Sequence, residues 1–281
     1  MRIILSRKGF DSSSGGCPSP ILPDGRLLSL PIPDKGSKIR YRDLQLDGVN
    51  AGRLVHQLSR AKVKGGQGAH LDPDLQAKHL QRLPGWRPVL GQTGSAQGHL
   101  RKQGVMAGDL FLFFGLFREA EIDQRRWRFV LGSQARHIIW GWLQIDRVLK
   151  VDNLKGSDYA WLNYHPHRQG AADSANTLYL ARDYLSLPGM ESVAGSGSFE
   201  RFDARLQLTH AASEQASLWQ LPRWFYPHQR SPLSYHTKPE RWQLNASHCL
   251  LKAVARGQEF VLLADDYPES IAWVGELLAH R

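Results

Sequence analysis

Gly108-Asp109-Leu110-Phe111-Leu112-Phe113-Phe114-Gly115-Leu116-Phe117 is a near-continuous apolar run of strand length, and His137-Ile138-Ile139-Trp140-Gly141-Trp142-Leu143-Gln144-Ile145, continuing to Val151, is a second. Uninterrupted runs of this length suit strands buried on both faces. Trp127-Arg128-Phe129-Val130-Leu131 lies between them, so the connections are short and the core is expected to be antiparallel or barrel-like. The fold class read from this centre is α+β: a mixed, largely antiparallel bent sheet or a small barrel, with helices around it.

Toward the N-terminus, Arg2 to Ser6 reads as a short strand entering a polar, glycine-bearing loop, Arg7 to Gly16. Pro18, Pro20, Pro23, Pro31 and Pro33 exclude helix from the next stretch, within which Arg26 to Leu30 reads as a short strand. Val49, Leu54, Val55 and Leu58 fall on one face of a helix over Val49 to Ala61. Ala69 to Gln103 has little periodicity and reads as irregular with short helices.

Beyond residue 151, Thr177 to Ala181, Arg205 to Leu208 and Phe260 to Leu263 are strand-like, and Ser192 to Ser198 reads as a mobile loop. Asp266 to Ser270 starts a final helix with Ile271, Val274, Leu277 and Leu278 on one face. No repeat or compositional shift marks a boundary, so residues 1–281 are read as one domain.

At 281 residues and 42% apolar content the chain is not disordered. Its net charge is +10, and the excess is confined to residues 1–140, which hold 22 basic and 11 acidic residues against 14 and 15 in the remainder. Such asymmetry suits an anionic partner, nucleic acid or nucleotide, and equally a merely soluble basic surface. Cys17 and Cys249 form neither a CxxC pair nor a disulfide framework. The apolar stretch Ile3 to Leu5 is too short for a signal peptide and no run approaches the ~18 residues of a membrane span. A cytoplasmic protein with no membrane partner is expected.

Four constellations carry candidate chemistry. Arg7, Lys8, Asp11, Ser12, Ser13 and Ser14 beside Gly15 and Gly16 suit a phosphate, with no P-loop or GxGxxG; the alternative is a solvent loop folded on an Asx or Ser turn. His70, Asp72 and Asp74 alternate, so in an extended segment all three share a face and suit proton transfer or a divalent cation; Pro73 favours a turn in which an aspartate caps a helix. His165, His167 and Arg168, flanked by Asn163 and Asn176, suit a base edge or an exposed loop. Trp140 and Trp142 alternate along one strand and can stack on a base if their common face lines a pocket. Asp11, His70, Asp72 and Asp74 are thus the candidate catalytic residues, while Gln258 and Glu259 read as a charged strand edge. With neither HExxH nor a zinc ribbon, no metal set and no cofactor is assigned.

The segments Arg7 to Ser12, Gly15-Gly16, Pro18 to Ile21, His70 to Leu75, Gly108 to Gly115 and Gly257 to Val261 together resemble the nucleotide-modification-associated domain family, type three. Residues 90 to 185 are also similar to PUA-like domains, through Gly108-Asp109 and the Gly141-centred strand. The resemblance implies a link to modified bases in DNA or to nucleotides. The leading expectation is a protein that binds or processes modified nucleotides or bases in DNA, its basic half on phosphates and an aromatic and histidine pocket on the base. A transferase or hydrolase acting on a free nucleotide or nucleoside is the alternative, and a structural partner in a modification complex a third.

Overall fold

The computed structural model describes residues 1–154, 157–169, 173–255 and 257–279. Eight strands enter the large sheet in turn: β1 (Arg2–Arg7), β2 (Ser19–Ile21), β3 (Val89–Gln92), β4 (Leu110–Asp123), β5 (Arg126–Phe129), β6 (Arg136–Lys150), β7 (Thr177–Ala181) and β8 (Ser196–Ser198). A separate three-stranded sheet holds β9 (Leu218–Pro222), β10 (Trp242–Leu244) and β11 (His248–Lys252), and the chain then returns to the large sheet as β12 (Glu259–Leu263).

The large sheet follows the path β12-β1-β4-β6-β7-β3, with β2 and β5 extending the partnership of β4 and β8 pairing with β6. Only β1 with β4 and β2 with β4 are parallel; the other pairs are antiparallel. The expected α+β class and largely antiparallel sheet are therefore found. The end strands β12 and β3 do not pair, so among the described residues the sheet stays open and the small-barrel alternative is not realised.

The reason lies in the two long strands. β4 and β6 have 14 and 15 residues, and each changes partner along its length. β4 pairs with β1 up to Phe114 and then with β2 and β5, while β6 leaves β4 after Gln144 for β7. The register of β6 shifts at Trp140 and again at Asp146, two bulges that bend the strand. Leu110 to Gly115 are all buried, as a strand covered on both faces requires.

Helix α1 (Ala51–Leu58) is shorter than the predicted stretch. Asn50 caps it by accepting from the Arg53 amide, and Arg60 and Ala61, both at positive φ, carry the chain out of it. Helix α2 (Gly94–Lys102) follows β3 after one residue, Thr93, and helix α3 (Glu269–Leu278) buries Trp273, Val274, Leu277 and Leu278 as its periodicity requires. Two predicted strands are absent: Arg26 to Leu30 contributes only isolated bridges, and Arg205 and Leu206 lie in the 3-10 turn Ala204–Leu206, with Gln207 in an isolated bridge to Ile138. The proposed loop Ser192 to Ser198 ends in β8. No described helix is long and apolar enough to cross a membrane.

Candidate functional site

The antiparallel register of β1 with β12 sets Ser6 opposite Glu259, so β1 ends at Arg7 and the chain leaves the sheet at Lys8, where β12 enters it. A cleft of about 550 Å³ opens there. Its walls are the loop after β1, His70 and Asp72, the β3–α2 junction from Gly91 to Ala96, His167, and Gly257 to Glu259.

One end of the cleft is suited to an anion. The Lys8 side chain is 10% exposed and its Nζ lies 3.5 Å from Glu259 Oε1. The first-turn amides of α2 have no partner inside the helix; that of Gly94 donates to Asp173 Oδ2 at 3.3 Å, and Gly94, Ser95 and Ala96 line the same space. Gly9, at φ +96°, turns the chain away immediately after Lys8; a Cβ there would meet Ser29 Oγ at 2.9 Å. The Glu259 side chain is wholly buried: Oε1 accepts from Ser6 Oγ and Gln92 Nε2, and Oε2 has no partner. Burial pushes its carboxyl up, against the opposing pull of Lys8, Ser6 and Gln92.

At the other wall, His70 Nε2, an Asp72 carboxylate oxygen and a His167 ring nitrogen lie within 4.8 Å of one another. Asp72 Oδ2 is 3.9 Å from His70 Nε2 and 3.8 Å from His167 Nε2. Its Oδ1 accepts from the Gly91 amide at 2.6 Å and lies 3.4 Å from Nε2 of the fully buried His165. At that distance the histidine acts electrostatically, and its Nε2 has no hydrogen-bond partner. Burial pushes the Asp72 carboxyl up, but His165, His167 and Lys8 outweigh it and hold it well below the usual carboxylate range.

Both imidazoles are held from behind. His167 Nδ1 donates to Asn176 Oδ1 at 2.7 Å, and the amide's orientation is set because Nδ2 donates to the His167 carbonyl. His70 Nδ1 pairs with Asp34 Oδ2 at 2.9 Å. Burial lowers the His167 pKa to about 4, so at neutral pH the ring is uncharged, with Nδ1–H on Asn176 and the Nε2 lone pair turned toward Asp72. A neutral imidazole with a fixed tautomer is equipped as a base or a ligand.

The expected residues separate into those in the cleft and those outside it. Arg7, Lys8, Asp11, Ser13, Ser14, His70, Asp72 and His167 line it, whereas Ser12 does not. Arg7 directs its fork away, donating to the Ala255 and Val254 carbonyls beneath Phe114 and Phe260. Asp11 Oδ1 accepts from the Ser13 amide and hydroxyl and from the Ser14 amide, the Asx-turn arrangement.

Asp74 does not share a face with His70 and Asp72. Pro73 breaks the alternation, and the buried Asp74 carboxylate receives both Arg82 Nη atoms at 2.6 Å, with Tyr164 and Trp86 beside it. His165 stands behind Asp72, and Arg168 bonds the Val151 and Leu154 carbonyls.

Nor do the tryptophans share a face. The bulge at Trp140 stacks its ring on Phe113, while Trp142 packs on Phe199 and donates to the Ala194 carbonyl. Both are buried outside the cleft. Trp140 instead lines an adjoining cavity of about 50 Å³, enough for a few waters, that meets the cleft at Gly9 and Asp72. Glu259, read from the sequence as part of a charged strand edge, is instead wholly buried beside the cleft; a lone glutamate before a strand carries no local signal of burial.

Fold and cleft define an α+β protein with a polar cleft in which cationic, acidic and imidazole groups face one volume. The chain belongs to the family described as nucleotide modification associated domain 3, whose model matches residues 2–263. Comparison with curated proteins and with solved structures gives no match.

Proposed function

We propose that the cleft binds a nucleotide, with a phosphate between Lys8 and the first turn of α2 and the part to be processed against His70, Asp72 and His167. The observation that supports this reading is the meeting of an anion-suited end with a neutral-imidazole and carboxylate cluster in one volume of about 550 Å³. Family membership associates the chain with nucleotide modification. The enzyme alternative gains from the geometry: His167 Nε2, uncharged near neutral pH, is equipped to accept a proton beside an ionised Asp72. Trp142 is packed against Phe199 away from the cleft, and Trp140, stacked on Phe113, reaches only the small adjoining cavity, so among the described residues the cleft itself offers no tryptophan face to a base. Residues 1–281 are read as one working unit, since the cleft takes residues from Arg7 to Glu259. Two buried free cysteines accord with a reducing, cytoplasmic setting.

Calorimetric titration with nucleosides and with their mono- and triphosphates tests the reading. Phosphate-bearing ligands are expected to bind, the nucleosides at least tenfold more weakly, and Lys8→Ala is expected to remove that preference. Equal affinity for nucleoside and nucleotide would overturn the assignment of the anion end. A nucleotide within modified DNA is the second source, favoured by the charge excess in residues 1–140. In that case affinity for modified duplex falls steeply between two salt concentrations while free nucleotide competes poorly.

A further inference from the structure

We infer that His70, Asp72 and His167 form a binding site for one divalent first-row transition-metal ion, with its remaining coordination positions open to the cleft. The inference concerns the same cleft as the proposed function and rests on that reading only for what the ion would act upon.

Three independent features of the geometry carry it. First, the donor set is chemically matched: two imidazole nitrogens and one carboxylate oxygen suit zinc, iron(II), manganese or cobalt, whereas calcium and magnesium take oxygen ligands. Second, the spacing is that of ligands before closure. Metal–ligand bonds of ~2.1 Å in tetrahedral geometry put ligand atoms about 3.4 Å apart. The two Nε2 to Oδ2 distances are 3.9 and 3.8 Å, about half an ångström beyond that, and no two of the three ligand atoms are more than 4.8 Å apart.

Third, every ligand is already oriented by a partner on its far side. His70 Nδ1 is held by Asp34, His167 Nδ1 by Asn176, and Asp72 Oδ1 by the Gly91 amide. These contacts aim the opposite atoms, Nε2, Nε2 and Oδ2, at one another, the outer-shell arrangement that fixes tautomer and ring direction in metal sites. Behind the cluster, His165 Nε2, buried within 3.4 Å of Asp72 Oδ1, has no hydrogen-bond partner. Exposure follows the same logic. The Asp72 and His167 side chains are 2% and 7% exposed and His70 is 24% exposed, so the ion would sit on buried ligands with access from the cleft. Asp74, the third member of the sequence spacing, is committed to Arg82 and takes no part.

The test is titration of the chelator-stripped protein with cobalt(II), followed by visible absorption, and with zinc(II), followed by calorimetry. One equivalent is expected to bind. His70→Ala and His167→Ala are each expected to weaken binding at least tenfold, and Asp72→Asn, which keeps an acceptor for Gly91, to do the same. Asp34→Asn, behind His70, is expected to weaken it less. His248→Ala, in the only other close histidine pair with His210 among the described residues outside this region, is expected to leave it unchanged. Circular dichroism and thermal melting of each variant establish that it is folded.

Absence of stoichiometric binding, or binding indifferent to His70→Ala and His167→Ala in folded protein, overturns the inference. Metal binding without any nucleotide binding supports it and overturns the proposed function instead. Nucleotide binding by a chain that takes up neither ion does the reverse.

Discussion

Gly91 shows how much of the site depends on an atom that is missing. A Cβ there would lie 2.2 Å from the His167 ring, so the imidazole packs directly on the backbone of β3. The same residue's amide holds Asp72 Oδ1. Gly91→Ala is therefore expected to push His167 out of line at a stability cost of ~1–3 kcal/mol. Ligand binding in the cleft should fall at least tenfold while the protein stays folded, checked by urea denaturation alongside titration. At this scale the sequence was half legible. The His70 and Asp72 pairing follows from two-residue spacing in an extended segment, but Asp74 was lost to the turn at Pro73 and to Arg82, eight residues on. His167 enters from far along the chain, and only tertiary structure brings it there.

Among the elements, strands and helices with strong periodicity were readable and those built from polar or short segments were not. β7 lies where its continuous apolar run, buried throughout, puts it, and α3 follows its one-sided stripe. β3 has only four residues, one of them glycine, and α2 begins Gly94-Ser95-Ala96-Gln97-Gly98, a composition with no apolar stripe. These two form the anion end of the cleft, so the weakest local signals mark the functional wall. The bulge at Trp140 is likewise silent in sequence: a single extra residue reverses which face a side chain takes, and alternation alone sent Trp140 and Trp142 to the same side. Helix α1 offers a direct test of local capping. Asn50 accepts from the Arg53 amide and donates to the Arg42 carbonyl, so Asn50→Ala should lower unfolding free energy by ~1 kcal/mol, read from chemical denaturation, with ligand binding unaltered.

For the molecule as a whole, buried histidines dictate how stability responds to acid. Burial, aided by the charge of Arg7 and opposed by Asp11, lowers the His137 pKa to about 3; burial likewise lowers that of His236 to about 4, with Arg241 and Arg7 acting in the same sense and the Ser234 carbonyl against it. Both rings are neutral in the folded chain while the unfolded chain titrates them near 6.5. Stability conferred by the neutral rings is present above pH 6.5 and is lost as pH falls from there through about 4. Each contributes a slope approaching ~1.4 kcal/mol per pH unit inside that window. Urea midpoints measured across it should fall accordingly, and His137→Gln, which keeps an acceptor for Trp219 Nε1, should remove one proton's share of the slope. The fold class was readable from the two central apolar runs. Whether the sheet closes was not, because partner exchange along β4 and β6 depends on strands as far apart as Ile3 and Leu110.

The seating of β1 between β4 and β12 has a consequence for how the protein comes into being on the ribosome. Its two neighbours are made at residues 110 and 259, so β1 waits for a strand made far later before its hydrogen bonds are complete. Lys8 is made long before Glu259 and meets it only after β12 has been synthesised. A nascent chain can thus gather its central strands well before it owns a cleft, whose final wall arrives with β12.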